Sequence, residues 1–157
     1  MKSIIVFYSL SNHTGQVARL LQEVTHSPLE ELHTKEPYGE ERLMDLSKRE
    51  IENGNYPALR PLTNPLKDYD VIFLGTPTWW VSPSSPVLSF IKNNDLTNKR
   101  VYPFITTGFD VHGVEDKMKI ALEKSGAKVE KALIVPFSNA FRYLDDETIK
   151  KYGINAK

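Results

Sequence analysis

The chain has 157 residues, 20 basic and 20 acidic side chains, 40% hydrophobic residues and no cysteine. This suits one domain with a sizeable core. It excludes a disulfide framework, a thiolate nucleophile and a Cys-ligated metal, and it leaves no net field to gather nucleic acid. No apolar run is long enough to cross a bilayer, and Met1-Lys2-Ser3 opens no secretory signal. A cytoplasmic protein of one domain over residues 1–157, with no nucleic-acid or membrane partner, is therefore expected.

Ser3-Ile4-Ile5-Val6-Phe7 is a short apolar run of the kind that fills a buried strand. Val17, Leu20, Leu21 and Val24 follow at i, i+3, i+4, i+7, one face of a helix. Between them lies a turn of small hydroxyl and amide side chains, Ser9, Ser11, Asn12 and Thr14, with Leu10 and His13 among them and no Lys, Arg, Asp or Glu. The first N–H groups of a helix have no internal partners, and the helix dipole puts partial positive charge there. A strand, a hydroxyl-rich turn and a helix start thus make an anion site that needs no cationic side chain. Ser11 or Asn12 alone would read as an ordinary helix cap. The whole turn, set between a buried strand and an amphipathic helix, reads as a phosphate site. It is not a Walker loop, since no Lys follows Gly15, and not a dinucleotide fingerprint, since Gly15 is its only glycine.

Leu29 to Thr34 alternates weakly, as an edge strand does, and Pro37-Tyr38-Gly39 breaks the chain. Glu40 to Asn53 is a charged surface helix with Leu43, Leu46 and Ile51 on its apolar face and Gly54 as its stop. Tyr56 to Lys67 holds Pro57, Pro61 and Pro65 and reads as an extended connection. Val71-Ile72-Phe73-Leu74 is the strongest buried strand, ending at Gly75-Thr76-Pro77-Thr78-Trp79-Trp80. Ser85 as cap and Pro86 in the first turn start a helix whose face is Val87, Phe90 and Ile91. Arg100 to Thr106 is the next strand, closing at Thr106-Thr107-Gly108-Phe109-Asp110. Val114, Met118, Ala121 and Leu122 form another helical face, stopped near Gly126, and Ala132 to Val135 is the last strand.

Strands and helices alternate, so the fold class is α/β, with a parallel sheet covered on both faces. Five strands in one domain predict a doubly wound sheet of order 2-1-3-4-5, with the ligand at the carboxyl ends near the switch point between the first and third strands. The loops after Phe7, Leu74 and Ile105 all fall at that edge. Trp79 and Trp80, adjacent on an extended segment, point to opposite sides and cannot both enter one core, so one is free to wall a planar ring. Gly108 permits close backbone approach to a ligand. His13 and His112 lack metal-ligand spacing with each other or with the remaining histidines, and no metal is expected.

Ser9-Leu10-Ser11-Asn12-His13-Thr14 resembles the FMN-phosphate loop of flavodoxins, whose form is [ST]-x-[ST]-G-x-T. Ser9, Ser11 and Thr14 fall on its hydroxyl positions, and Asn12 replaces the glycine. Asn accepts positive φ more readily than most residues, so the turn is feasible. Gly75-Thr76-Pro77-Thr78-Trp79-Trp80 is similar to the G-x-P-x-W-W segment of short flavodoxin-like proteins. Glu36-Pro37-Tyr38, Glu52-Asn53-Gly54 and Pro57-Ala58-Leu59-Arg60-Pro61 are similar too, so the resemblance covers most of the chain. Flavodoxin is itself an example of the 2-1-3-4-5 order, so order and resemblance form one expectation. The resemblance implies FMN as cofactor and electron transfer as activity. It places Ser9, Leu10, Ser11, Asn12, His13 and Thr14 around the FMN phosphate. Pro77, Thr78, Trp79 and Trp80 would flank the isoalloxazine, with Thr107, Gly108 and Phe109 on its other side. A phosphate-accepting receiver domain shares the topology but needs carboxylates at the ends of the first and third strands. Phe7-Tyr8-Ser9 and Leu74-Gly75-Thr76 supply none. The other alternative is a cofactor-free scaffold that binds a partner.

The ring-side loops, Gly75 to Ser85 and Thr106 to Gly113, hold only Asp110 as an acid. A low-potential one-electron carrier disfavours the anionic reduced ring by crowding it with carboxylates. Two-electron chemistry is therefore expected: reduction by NAD(P)H, a donor implied by the resemblance alone, then transfer to a quinone-like or small aromatic acceptor. The alternative is an electron carrier between redox proteins. After the last strand, Phe137 to Lys157 offers only Ile149, Tyr152 and Ile154 at loose spacing, and a helix over Asp146 to Tyr152 is too short to cover a sheet face. Either Phe137, Phe141 and Tyr143 cover it as a loop or a second subunit does, and a homodimer is the expectation.

Overall fold

Strands that are apolar on both faces set the architecture. The structure is a computed structural model that describes residues 2–39, 43–108, 113–136, 147, 151 and 152. In chain order its elements are β1 (Ser3–Phe7), α1 (His13–Thr25), β2 (Leu29–Glu31), α2 (Leu43–Asn53), β3 (Val71–Trp79), β4 (Ser82–Pro83), α3 (Ser85–Asn93), β5 (Arg100–Thr107), α4 (Val114–Lys124), β6 (Lys128–Val129) and β7 (Leu133–Pro136). The sheet runs β2-β1-β3-β5, and every pairing along it is parallel. β6 pairs with the start of β5 at Arg100–Lys128, and β7 pairs with its end at Phe104–Leu133. They are two pieces of one broken edge strand, so the expected order 2-1-3-4-5 holds with its last position split.

Alternate residues of each strand point to opposite faces. Ile4, Val6, Ile72, Leu74, Val101 and Ile105 bury against Val87, Phe90 and Ile91 of α3 and Val114, Met118 and Leu122 of α4. Ile5, Phe7, Val71, Phe73, Tyr102 and Phe104 bury on the other side, with Val17, Ala18 and Leu21 of α1. A parallel sheet covered by helices needs this two-sided apolarity. Tyr152, in a helical conformation, joins the α1-side cluster, and its hydroxyl donates to the Pro103 carbonyl at 2.6 Å. Phe137, Phe141, Tyr143, Ile149 and Ile154, invoked as cover for this face, lie outside the described residues, as do Phe109, Asp110 and His112. No helix among the described residues is long and apolar enough to cross a membrane.

Four local readings change. β3 continues past Leu74 to Trp79, because Thr78 and Trp79 pair antiparallel with Pro83 and Ser82 in a hairpin. β2 ends at Glu31, and Thr34 instead bridges antiparallel to Leu59 in the proline-rich connection. The cap of α3 is Ser84 rather than Ser85, since Ser85 already has helical backbone. In α2 only Ser47 is buried, and Leu46 is 39% exposed although the spacing put it on the packed face.

Register delivers the loops. Phe7 lies beside Gly75, and Pro77 lies beside Thr106, so the chain leaves β1, β3 and β5 at one carboxyl edge. Gly75 is needed there for packing rather than for a turn. A Cβ on it would sit 2.2 Å from two ring carbons of Phe104.

Candidate functional site

The turn from β1 into α1 is built around Asn12. Its φ of 67° is left-handed, which the flavodoxin-type pattern fills with glycine, and asparagine adopts it here. The Asn12 side chain does not cap α1; its Oδ1 accepts from Arg19 Nη1 at 3.1 Å. The positive end of the α1 dipole is thus not covered by an Asn12 cap. Gly15 N–H donates to Ser9 Oγ at 3.2 Å, which folds the first hydroxyl back over the turn. Ser11 Oγ lies 2.9 Å from His13 Nδ1. A Cβ at Gly15 would meet Asn12 Oδ1 at 2.8 Å, Arg19 Nη1 at 3.1 Å and Ser9 Oγ at 3.5 Å. The glycine therefore lets Asn12, Arg19 and Ser9 close around the helix entry, polar groups that a β-carbon would push away and whose chemistry suits an anion. Sequence reading found the hydroxyls but missed Arg19, which sits seven residues from Asn12, two helical turns along.

Thr14 belongs to the same turn, but its side chain points inward. Its Oγ1 lies 2.8 Å from Thr106 Oγ1, and both residues are buried. Thr78 Oγ1 donates to the Thr106 carbonyl at 3.0 Å. Three hydroxyls thus fasten the β1, β3 and β5 loops to one another. Thr76 Oγ1 adds a tie within the β3 loop, donating to the Pro77 carbonyl and accepting from Ser84 N–H at 2.9 Å. Thr107 is buried beside Thr106, Gly108 is half-buried, and Phe109 lies outside the described residues.

The two tryptophans part company, not by strand alternation but because β3 ends at Trp79 and Trp80 enters a left-handed turn. Trp79 is half-buried against the α3/α4-side core and stands edge-on to Tyr8 and Tyr38, with ring centroids 5.5 and 5.7 Å away. Trp80 is 40% exposed; its Nε1 donates to Ser47 Oγ at 3.0 Å, and Lys48 Nζ lies 5.4 Å from its ring centroid. Trp80 and Val81 have φ of 55° and 54°. They are the two-residue loop of the β3–β4 hairpin, a mirror-image turn that normally takes Asn-Gly.

The aromatic cluster has an acidic border that chain order hides. Tyr38 donates its hydroxyl hydrogen to Glu50 Oε1 at 2.8 Å, and burial together with that carboxylate raises its pKa. Tyr8 is pushed up to about 12, by burial first and then by Glu31 and Glu50. Two carboxylates from β2 and α2 therefore stand near the β1 loop.

A groove of about 1240 Å³ lies beside the loops rather than at the Ser9–Thr14 turn. It runs between α2, α3 and α4, with Trp80, Val81 and Ser82 at one end.

A family model described as flavodoxin matches residues 2–138. Among solved structures, the chain resembles a flavoprotein from Lactobacillus acidophilus NCFM solved in complex with FMN: 22% identity, TM-score 0.77, covering 96% of this chain and 97% of that one. It is also similar to oxidised flavodoxin 2 from Bacillus cereus, at 20% identity and TM-score 0.61, covering 99% and 95%. A flavodoxin, WrbA-like protein from Agrobacterium tumefaciens shows 16% identity and TM-score 0.65, covering 99% and 94%. At these identities the likeness is one of fold. No curated protein matches the chain.

Proposed function

The chain belongs to the flavodoxin family, and from that premise we propose that it is a flavoprotein holding FMN at the carboxyl edge of its sheet. The observation that carries this reading is the left-handed helix entry at Asn12, whose side chain turns to Arg19 instead of capping α1, with Ser9 and Ser11 in the same turn. Ser9, Ser11 and the turn's N–H groups would bond the phosphate, with Leu10 and His13 bordering it. Arg19 would supply charge, and Thr14 would fix the turn against Thr106. The Pro77–Trp80 and Thr107–Gly108 segments would border the ring. Bound FMN supplies reversible electron transfer. The protein's part is to hold the phosphate, orient the ring and exclude water from it.

Hydrogen bonds to a charged group contribute about 1.5–3 kcal/mol each, and about 1.4 kcal/mol is tenfold in affinity. Ser9→Ala should therefore weaken FMN binding about tenfold and leave riboflavin binding little changed. Titrating both ligands into apoprotein reads this directly. Equal losses for the two would remove the phosphate from this turn.

For the reaction, we propose two-electron transfer from NAD(P)H to a quinone-like or small aromatic acceptor in the cytoplasm. Balanced charge over the chain and the scarcity of acids in the ring-side loops support it. A carrier between redox proteins is the second reading, and Glu31 and Glu50 near Tyr8 favour it, since carboxylates penalise an anionic ring. Two widely separated one-electron midpoint potentials, with no NADH- or NADPH-driven quinone reduction, would decide for the carrier. A homodimer remains a proposal alongside either reading. Exposure of Met44 and Leu46 on α2 supports it, and sedimentation at micromolar concentration tests it.

A further inference from the structure

The groove between α2, α3 and α4 has a chemistry of its own. Its floor is apolar, made by Leu88 and Ile91 of α3 with Ile120 and Ala121 of α4. Ile120 is 54% exposed, which is costly for an isoleucine that meets only water. Trp80 adds a half-exposed ring at one end. The volume of about 1240 Å³ is ample for a small-molecule ligand, whose pockets span about 300–1,000 Å³.

The rim is cationic in a chain whose total charge is zero. Lys48, Lys92, Lys117 and Lys124 line it, against Glu52 and Asp95. Lys117 Nζ donates to the Val81 carbonyl at 2.9 Å, and Lys92 Nζ donates to the Gly54 carbonyl at 3.2 Å. Lys48 rests over Trp80. Among the described residues none of the four is in an ion pair. Asp95 accepts from Thr97 N–H and Thr97 Oγ1 within its own turn and keeps its charge, so four ammonium groups stand against two carboxylates around the groove. On α4, Lys117, Ile120 and Lys124 follow at i, i+3, i+7 and share one face. An apolar floor between unneutralised ammonium groups selects for both properties together: the floor takes a hydrophobic body, and the rim attracts and pairs an acid group.

We propose that this groove binds small amphiphilic anions, compounds with a flat apolar body and one acidic group. The lining comes from three helices and the β3–β4 turn together, a ring of elements that suits a compact ligand rather than an extended segment passing through. The site is separate from the Ser9–Thr14 turn, and its α3–α4 side stands whether or not that turn holds FMN; Trp80 is shared with the segment proposed to border the flavin ring.

The test uses anilinonaphthalene sulfonate as the anionic probe and N-phenylnaphthylamine as its uncharged counterpart. Each is titrated into the full chain by probe fluorescence and equilibrium dialysis, with and without saturating FMN. One saturable site is expected for the sulfonate, at least tenfold tighter than for the amine and retained with FMN bound. Lys124→Gln should weaken the sulfonate severalfold without moving the amine, and Ile120→Glu should abolish binding of both. Far-ultraviolet circular dichroism checks that these two surface variants remain folded. Displacement of the sulfonate by FMN, equal affinity for the two probes, absence of saturable binding, or indifference to both substitutions would each overturn the proposal. FMN loading is followed separately by visible absorbance, so failure of the cofactor reading is distinguishable from failure of this one.

Discussion

At the scale of single residues, two positions carry different lessons. Asn12 was legible: a residue tolerant of positive φ where a tight helix entry needs one, and the structure gives it φ 67°. Gly75 reads from the sequence as a loop glycine, and its reason lies elsewhere. It is inside β3, and the Phe104 ring occupies the space its Cβ would need. No local pattern announces such a pair, because Phe104 belongs to the neighbouring strand and meets Gly75 only through register. Forcing a methyl into a packed core costs about 1–3 kcal/mol and sometimes more. Gly75→Ala should therefore lower stability by about 3 kcal/mol in urea unfolding, and Phe104→Leu in the same chain should recover part of that loss. Independent, additive losses in the double variant would show that the two residues do not share the space. The Tyr38–Glu50 contact is equally hidden, because it exists only once the loop and α2 are folded together; Arg19 lies on α1 itself, and its role follows from the turn of that helix under Asn12.

At the scale of elements, the β3–β4 hairpin is the clearest departure from local preference. The run Gly75 to Trp80 read as a loop, because a Trp-Val pair is no turn signal. Yet both residues sit in the left-handed region, which costs an ordinary residue about 1–2 kcal/mol, and a β-branched valine is a true outlier there. The turn is held from outside by Ser47 on the Trp80 indole and by Lys117 on the Val81 carbonyl. Strain kept beside a site is a common mark of function, since a local rule is broken where shape matters. Val81→Gly relieves the strain and adds unfolded-state freedom costing about 0.5–1 kcal/mol. The expected net effect is a gain of up to about 1 kcal/mol, read as a raised denaturation midpoint with unchanged slope. A lowered midpoint would mean that the Val81 side chain contributes more packing than its backbone costs. α2 shows the opposite limit of pattern reading: its spacing predicted a packed face, but only Ser47 is buried. Amphipathic spacing states which face would pack, not how far the neighbours reach.

At the scale of the whole molecule, alternation of strand and helix was enough to read the parallel sheet and its order. It could not show that the last edge strand is broken, since two short segments flanking Glu130-Lys131-Ala132 carry little periodicity. Nor could it show where the phenols go. Burial raises the pKa of Tyr8, Tyr38, Tyr102 and Tyr152, four of the chain's seven tyrosines, with Glu50 adding to the effect on Tyr8 and Tyr38. They lie on both faces of the sheet, Tyr8 toward α3 and α4 and the Tyr102–Tyr152 pair toward α1. A phenol that holds its proton more tightly when folded contributes stability that is complete below its unfolded pKa near 10. That stability falls as the pH rises beyond this point, and the share due to Tyr8 is gone by about pH 12. The fold should therefore resist mild alkali and then fail cooperatively above about pH 10, releasing the buried phenols as it opens. Tyrosinate ultraviolet absorbance and near-ultraviolet circular dichroism, followed together at constant ionic strength, should show one coincident transition. Tyr8→Phe should flatten the pH dependence of stability in that window, because a phenylalanine has no proton to lose. Smooth ionisation of every tyrosine with the dichroism intact would mean that the phenols are open to water and that burial does not govern their titration.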